Sequence, residues 1–192
     1  MTVSRTEAEE AVKTLIRYIG DNPERPGLQE TPARVVRAID ELFSGAKISN
    51  DEIAVTHGKC FTDGASEDMV LVRNIPCFSF CEHHMMLMYD MSISIAYLPK
   101  GKILGLSKFA RIAHDVCARL QVQERIGTDI ADIITKVTGS EDVAVIIRAK
   151  HSCMTARGIK ADGDGYTITN TLRGKFRSNA PLRAEVLSVL HN

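Results

Sequence analysis

Four consecutive residues with reactive or ionisable side chains, Cys81-Glu82-His83-His84, interrupt an otherwise apolar stretch of the chain. The two-residue gap between Cys81 and His84 is short enough for a thiolate and an imidazole to bind one zinc ion. Either His151 or Cys153 could supply a third ligand, and these two side chains share a face if the chain is extended there. Three protein ligands with an open fourth position are typical of catalytic zinc, because the open position holds the water that the metal acidifies.

The same residues have two other interpretations. Cys81 and Cys153 can be buried apolar thiols beside hydrogen-bonded histidines. A structural zinc site is the second alternative, and it would need a fourth ligand such as His83 or His151. The spacing alone leaves these alternatives open. A disulfide framework is a poor explanation of the five cysteines, because their number is odd and the chain is long enough to build its own core.

A second group of candidate residues is cationic. Lys108 and Arg111 follow Ser107 on the first turn of a predicted helix, where free N–H groups and the positive end of the helix dipole suit a phosphate. An isolated pair of this kind is more often a solvated surface. Further arginines on other segments favour a phosphate site: Arg34, Arg37 and Arg157.

A third candidate is Glu124, in the segment 121–125 between two predicted helices. A carboxylate can accept two hydrogen bonds from a guanine edge, one from the ring N–H and one from the exocyclic amine. In the alternative interpretation, Glu124 and Arg125 form surface ion pairs in a solvated turn, and the sequence alone favours that alternative.

The N-terminal part of the chain predicts two helices. Thr6 and Glu9 fit a capping box for a helix that runs to about Ile19. Thr31 as cap, followed by Pro32, predicts the start of a second helix. Residues 50–68 are polar and broken by glycine, so we expect a connection there with one edge strand.

The remainder of the chain combines predicted strands with long helices. Apolar patterns predict strands over 69–72, 91–97, 103–106, 143–149 and 166–171. One long helix is capped by Ser107, a second begins at about Thr128, and a C-terminal helix opens at 179–181. The apolar stripe of the first long helix comprises Phe109, Ile112, Ala113, Val116 and Leu120. This order indicates an α+β fold, with the long helices laid on a mainly antiparallel sheet.

Composition limits the class of partner. The 192 residues are 44% hydrophobic and 25% charged, and 24 Lys and Arg balance 24 Asp and Glu. Zero net charge argues against a general binder of nucleic acid or anionic membrane, since those partners are held by summed cationic charge. The sequence contains no apolar run of about 18 residues and no N-terminal pattern of a secretory signal. We therefore expect a cytoplasmic protein whose partner is a small molecule.

Four blocks of the chain occur in an order and at a spacing that resemble those of GTP cyclohydrolase I. The blocks are 81–84, 105–108 with Arg111, 121–125, and 151–158. The likeness covers the chain from about Thr31 to the C-terminus. Agreement across four separate blocks is far more specific than any one motif.

The resemblance implies a role for each residue of the first and last blocks. Cys81, His84 and Cys153 would bind one zinc ion per subunit. His83 and His151 would be acid–base groups beside the metal.

The resemblance also implies a nucleotide site. Glu124 would hold the guanine ring, with Gln123 assisting. The triphosphate would be bound by Ser107, Lys108, Arg111 and Arg157. Arg34 and Arg37 would reach it from a neighbouring subunit.

The implied reaction is zinc-dependent hydrolysis of GTP to 7,8-dihydroneopterin triphosphate and formate, the first step of pterin and tetrahydrofolate biosynthesis. The guanine imidazole ring opens, C8 leaves as formate, the ribose rearranges and a new ring closes. A histidine that protonates N7 would make C8 electrophilic, and imidazole titrates near working pH.

The family's tunnelling fold implies an assembly. Antiparallel strands of several subunits close a barrel with helices outside, in a homodecamer of two pentamers whose active sites lie between subunits. We accordingly expect an N-terminal helical extension over 1–49 and a catalytic domain over 50–192.

One segment departs from the family pattern. Between His84 and the segment 96–99 the chain is one residue longer, and the glycine expected near Asp90 is absent. We therefore expect a β-bulge here, since a one-residue slip turns every following side chain to the opposite face of a strand.

Two alternatives to an active enzyme remain. One is an inactive or regulatory nucleotide-binding copy on the same scaffold, and the presence of all the implied site residues argues against it. The other, from outside the family, is a small structural-zinc interaction domain, which would hold metal and bind no nucleotide.

Overall fold

The computed structural model describes residues 3–63, 67–161 and 164–191, with side chains through 188. The chain forms two compact units that divide between Ser44 and Gly45. The N-terminal unit contains α1 (Arg5–Tyr18) and α2 (Thr31–Leu42), which pack on each other. The boundary expected at 49/50 stays a prediction.

The N-terminal caps differ from those predicted. Ser4 and Glu7 form the capping box of α1, in which Ser4 Oγ accepts from the Glu7 N–H and Glu7 Oε2 accepts from the Ser4 N–H. Thr6 and Glu9 fit the same sequence pattern, but the helix begins at Arg5, so this prediction was wrong. In α2 the cap position is Glu30 and Thr31 is already helical, so the prediction of Thr31 as cap was wrong, and no side-chain hydrogen bond caps this helix.

The main unit, residues 45–191, contains a sheet, two long helices and several short elements. After a 3-10 turn (Ser44–Lys47) at the boundary, its elements in chain order are α3 (Asn50–His57), β1 (Cys60–Phe61), β2 (Val70–Cys81), β3 (Met86–Tyr97), β4 (Ile103–Leu104), α4 (Leu106–Cys117), β5 (Leu120–Gln121), α5 (Gln123–Thr138), β6 (Val143–His151), α6 (Ser152–Thr155), β7 (Thr167–Leu172), α7 (Lys175–Ser178) and α8 (Ala180–His191).

The sheet confirms the α+β class. Its five strands lie in the order β5-β2-β3-β6-β7, and β2, β3, β6 and β7 pair antiparallel with their neighbours. The short β5 pairs with β2 in parallel. β1 and β4 form a separate two-stranded sheet.

The core lies between the sheet and the two long helices α4 and α5. Fully buried residues on these helices include Phe109, Ile112, Val116, Ile126, Ile130 and Ile134, and the strands contribute Ile93, Ile95, Val145 and Ile147. Leu120, predicted in the apolar stripe of α4, lies instead in β5 and is 40% exposed, because the helix ends at Cys117. The stripe from Phe109 to Val116 is confirmed.

Both long helices begin before the predicted residues. The cap of α4 is Gly105 and no side chain caps the helix, so Ser107 lies within its first turn. α5 begins at Gln123 rather than at Thr128, which places Glu124 on its first turn instead of in a loop.

A short helix, α3, occupies part of the segment predicted as a connection. Its sequence signal is a capping box in which Ser49 Oγ accepts from the Glu52 N–H at 3.2 Å and Glu52 Oε2 accepts from the Ser49 N–H at 2.7 Å. Two buried residues, Ile53 and Ala54, then anchor it to the core. The helix is short and has few apolar positions, so its periodicity does not stand out from that of a loop.

We expect Ser49→Ala to lower the free energy of unfolding by about 1 kcal/mol, because an N–H at the start of α3 loses its hydrogen bond. Denaturant unfolding measures the change. Ser107→Ala is the matched control, since that hydroxyl caps no helix, and it should stay within about 0.5 kcal/mol of the unmodified protein. Equal losses in the two variants would contradict the role of the cap.

The β-bulge expected near Asp90 is present. Met88 and Met91 of β3 pair with Ser79 and Cys77 of β2, so β3 has one residue more than its neighbour over this interval. The same excess appears against β6. Asp90 has a φ of 49°, in the left-handed region that glycine adopts more easily.

Within the described part of the chain, no helix combines the length and the apolar character needed to cross a membrane.

Candidate metal centre and substrate site

The first part of the site is the turn that follows β2. Cys81, the last residue of β2, is buried, and its carbonyl accepts from the Met85 N–H at 2.8 Å. Met85 has a φ of 52°, which closes the turn tightly. Gln121 of β5 pairs beside Cys81, and its carbonyl accepts from the Glu82 N–H at 3.0 Å. The turn that carries the two histidines is therefore held by backbone bonds on both sides.

The second part of the site comes from the end of β6, about 70 residues further along the chain. The pairing of β6 with β3 sets His151 opposite Met88. The strand ends there and α6 begins, with Ser152 Oγ donating to the Leu87 carbonyl at 2.7 Å. The pairing register of β6 with β3 therefore places Cys153 close to the turn after β2.

Three side chains that can bind a metal converge at this point. One ligand atom each from Cys81, His84 and Cys153 lie within 4.8 Å of one another. Around a tetrahedral zinc ion such donor atoms are separated by about 3.5 to 3.8 Å, given the usual bond lengths to sulfur and nitrogen. The three residues therefore fit a metal ion after a small inward movement. His151 lies outside this set, and it shares no strand face with Cys153 because β6 ends at His151.

The chemistry of the donor set also suits a cation. Burial raises the pKa of the Cys153 thiol, and the adjacent Cys81 thiol raises it further. The thiolate of Cys153 is therefore favoured where a positive charge lies beside it. A divalent cation provides that charge, and two thiolates with an imidazole are ligands that zinc accepts.

The predicted acid–base residue His83 lies on the exposed side of the turn. Its Nδ1 is 3.6 Å from Cys81 Sγ. Its neighbour His84 accepts at Nε2 from Arg157 Nη1 at 3.2 Å, because a guanidinium can only donate. Arg157 is thus the predicted phosphate-binding residue that the structure brings to the metal cluster.

The second predicted acid–base residue, His151, is half-buried and held by Gln123. The Gln123 Nε2 group donates to the carbonyls of Ile147 and Thr167, both at 3.0 Å, and to Thr169 Oγ1 at 3.2 Å. These acceptors fix the amide so that Gln123 Oε1 faces His151 Nε2 at 2.8 Å. Because an amide oxygen can only accept, His151 carries a hydrogen at Nε2 and keeps a lone pair at Nδ1 when it is neutral.

Burial also affects the charge of His151. It lowers the pKa of His151, and the Glu124 carboxylate opposes this shift. The dominant contribution, burial, favours the neutral imidazole.

An ion pair whose partners were not predicted connects the turn after β2 with the first turn of α5. Arg125 donates from Nη1 to Glu82 Oε2 at 2.6 Å and from Nη2 to Glu82 Oε1 at 3.1 Å. Arg125 lowers the pKa of the Glu82 carboxyl by this hydrogen bonding. A surface ion pair of Arg125 was expected in one interpretation of the segment 121–125, but its partner was not, because no local signal relates positions 43 residues apart. The pair ties the turn after β2 to the start of α5.

Glu124, one residue before Arg125, is exposed and faces a groove. The groove has a volume of about 540 Å³ and is bordered by the first turn of α5 and by the edge strand β7, with Thr128, Thr169, Thr171, Arg173 and Arg177 among its lining residues. A carboxylate on the wall of an open groove is free to accept hydrogen bonds from a ligand. The predicted helper Gln123 is different, because its amide is buried and engaged as described above.

The first turn of α4 lies away from the metal cluster within one chain. α4 runs alongside β2 in the same direction, with His114 Nε2 donating to the Pro76 carbonyl and Ser79 Oγ donating to the Cys117 carbonyl. Lys108 lies nine residues before Cys117, about 14 Å back along the helix axis. A single chain therefore does not bring Ser107, Lys108 and Arg111 to Cys81.

The two remaining predicted residues belong to the N-terminal unit. Arg34 and Arg37 lie on α2 with exposed side chains. Arg34 pairs with Glu30 one turn earlier on the surface. Their role stays a prediction.

Comparison with known proteins gives a consistent assignment. A family model described as GTP cyclohydrolase I matches residues 8–191. GTP cyclohydrolase 1 of Clostridium botulinum (strain Loch Maree / Type A3) is 52% identical over 196 aligned residues, which cover 100% of this chain and 99% of that protein. The Ruminiclostridium cellulolyticum protein of the same name is 51% identical over 95% of each chain, and that of Clostridium acetobutylicum is 45% identical over 98% of each. The sequence motifs, the convergent cysteine and histidine ligands and these matches agree, and the chain belongs to the GTP cyclohydrolase I family.

Proposed function

We propose that this chain is a zinc-dependent hydrolase that converts GTP to 7,8-dihydroneopterin triphosphate and formate, the first step of pterin and tetrahydrofolate biosynthesis. The observation that carries the proposal is the convergence of Cys81, His84 and Cys153, with the His83 ring beside Cys81. Membership of the family supports the substrate and the reaction.

The three convergent residues would hold the metal. When bound, zinc supplies Lewis acidity and makes water a better nucleophile near neutral pH. The Glu82–Arg125 ion pair keeps the turn that carries His84 in place for this purpose. We assign His83 and His151 to proton transfer.

The two histidines are suited to different proton-transfer roles. His83 is exposed on the turn and can exchange protons with solvent as well as with a bound purine. The Gln123 amide oxygen keeps a hydrogen on His151 Nε2, so that Nδ1 is free to take a proton from the reacting sugar or base. A fixed ring with one defined basic nitrogen is the arrangement that general base catalysis requires.

Glu124 would recognise the guanine edge from the groove beside β7. Its two oxygens can accept from the ring N–H and from the exocyclic amine at once, which adenine cannot satisfy. The Glu124 carboxylate also interacts electrostatically with His151, which precedes Cys153 by two residues in the chain.

We expect Glu124→Ala to lower kcat/KM for GTP by about 100-fold, because two hydrogen bonds to a carboxylate are lost. The ratio of kcat/KM for GTP to that for inosine triphosphate, which lacks the exocyclic amine, should fall towards one. Steady-state assays with the two nucleotides measure both effects. Glu141→Ala, an exposed carboxylate elsewhere, is the control. Unchanged discrimination would remove Glu124 from guanine recognition.

We further propose that the complete site forms between subunits, in a tunnelling-fold homodecamer whose barrel is closed by strands of several copies. The position of α4 supports this, since Ser107, Lys108 and Arg111 lie far from Cys81 in one chain. A neighbouring copy would present that turn, with its cationic side chains and helix N-terminus, to the triphosphate. Arg157 would contribute from the same chain as the metal, and Arg34 and Arg37 from a neighbour.

The test is incubation of the purified, metal-analysed protein with GTP. Formate release and the fluorescence of the oxidised pterin product should both appear and should both be lost on chelation of the metal. Protein that holds zinc and binds GTP but yields neither signal would contradict the proposed function.

A further inference from the structure

The bulge in β3 places two adjacent side chains against the segments that follow β6 and precede β7. Tyr89 Oη lies 3.3 Å from Thr155 Oγ1, on the helix that carries Cys153. Asp90 Oδ2 accepts from Tyr166 Oη at 2.6 Å, just before β7. In a regular strand neighbouring side chains point to opposite faces, and a bulge is the usual means of re-aiming them.

Tyr166 is fixed by more than its hydroxyl. The centre of its ring lies 3.6 Å from the guanidinium carbon of Arg148 and 4.7 Å from the Lys150 ammonium nitrogen. The same ammonium is 3.7 Å from Asp90. These cation–π and ionic contacts assemble a cluster of four side chains on the sheet face opposite α4 and α5, and Asp90 holds the only negative charge among the four.

The cluster connects directly to the residues that orient His151. Tyr166 is bonded to Thr167, whose carbonyl accepts from Gln123 Nε2 at 3.0 Å, and Thr169 accepts from the same group. Gln123 Oε1 in turn faces His151 Nε2. A shift of the start of β7 would therefore move two of the three acceptors that hold the Gln123 amide.

We propose that Asp90 is a positioning residue for this reaction, which through Tyr166 and the start of β7 holds Gln123 in the orientation that fixes the His151 ring. The proposal rests on the proposed function. Asp90 touches neither the metal ligands nor the groove at Glu124. Asp90 adopts a left-handed backbone conformation that costs free energy for this residue and that glycine would adopt more easily. What the Asp90 side chain provides and glycine lacks is the carboxylate that accepts from Tyr166.

The test separates the backbone from the side chain. Asp90→Gly relieves the left-handed backbone and removes the carboxylate, so the thermal midpoint should stay equal or rise while kcat falls by about tenfold, the lower end of the usual cost of losing an outer-shell partner. KM for GTP and the metal content should not change. Asp90→Asn keeps an acceptor for Tyr166 and tolerates the same backbone, and it should restore most of kcat.

Two further variants test whether Asp90 acts on Gln123 through the Tyr166 hydroxyl. Tyr166→Phe keeps the ring beside the two cations and removes only the hydroxyl, so its kcat should match that of Asp90→Gly. The double variant should lose no more than either single one, because both act through one hydrogen bond. Asn74→Gly is the matched control, since Asn74 also has a left-handed φ at a bulge and its side chain accepts from Ser92 Oγ, which is not bonded to Gln123.

The outcomes are distinguishable. Unchanged kcat in Asp90→Gly, an equal loss in Asn74→Gly, or loss of metal together with kcat would each overturn the positioning role. Additive losses of kcat in the double variant would show that Asp90 does not act through Tyr166. Unmodified protein that releases no formate from GTP would overturn the proposed function itself, and the positioning role with it.

Discussion

Cys153→Ser is expected to leave the protein nearly free of zinc and to lower turnover of GTP by more than about 100-fold, beyond the usual cost of losing an outer-shell partner of a metal ligand. Serine keeps the size and position of the side chain, but its hydroxyl does not ionise to replace a thiolate. The remaining Cys81 and His84 offer two ligands, which is fewer than any ordinary protein zinc site uses. Metal analysis per chain and formate release measure the two effects.

A second cysteine provides the control for this change. Cys60 is half-buried, donates from Sγ to the Val137 carbonyl at 3.6 Å and takes no part in the cluster. Cys60→Ser should therefore keep one metal per chain and full turnover. If Cys153→Ser also kept one metal per chain, another residue would have to be the third ligand and our assignment would be wrong.

His83→Ala is expected to lower kcat by about 100-fold to 10,000-fold, the range attributed to a general acid or base, while zinc and GTP binding are largely kept. The reason is geometric, since the ring stands beside the metal cluster on the exposed side of its turn and is not among the three convergent ligands. Single-turnover kinetics, metal analysis and calorimetric titration with GTP separate the three properties.

The close approach of His83 Nδ1 to Cys81 Sγ makes the metal analysis decisive. Loss of zinc from His83→Ala would show that the ring serves the metal site rather than proton transfer. His114→Ala is the matched control, because that exposed histidine hydrogen-bonds the Pro76 carbonyl and lies outside the site. It should change neither kcat nor metal content.

Local patterns in the sequence were sufficient for much of the fold. The apolar stripes on α4 and α5 and the strand pattern of β3 and β6 depend on near neighbours, and periodicity reports them directly. The reactive cluster at 81–84 is a local pattern too. The extra residue near Asp90 was inferred from the family resemblance instead. Where local signals were weak or duplicated, prediction failed, as for α3 and for the cap of α1.

The choice of the third metal ligand is a different kind of question. His151 and Cys153 are two residues apart, and both residue types bind zinc. The family resemblance implied Cys153, and the physical reason lies in the end of β6 at His151 and the turn into α6, which bring Cys153 to the cluster and His151 to Gln123. That decision depends on sheet register, which long-range pairing sets.

The contacts that support the site likewise join residues far apart in the sequence, so local patterns do not predict them. Arg125 and Glu82 are 43 residues apart, and Asp90 and Tyr166 are 76 apart, so no periodicity relates them. Sequence by itself gave candidates for binding a metal and phosphate, because chemical type and short spacing are local properties, and the family resemblance added candidates for proton transfer. The tertiary structure decided which of them meet, because the pairing of β2, β3, β6 and β7 brings together side chains that are distant along the chain.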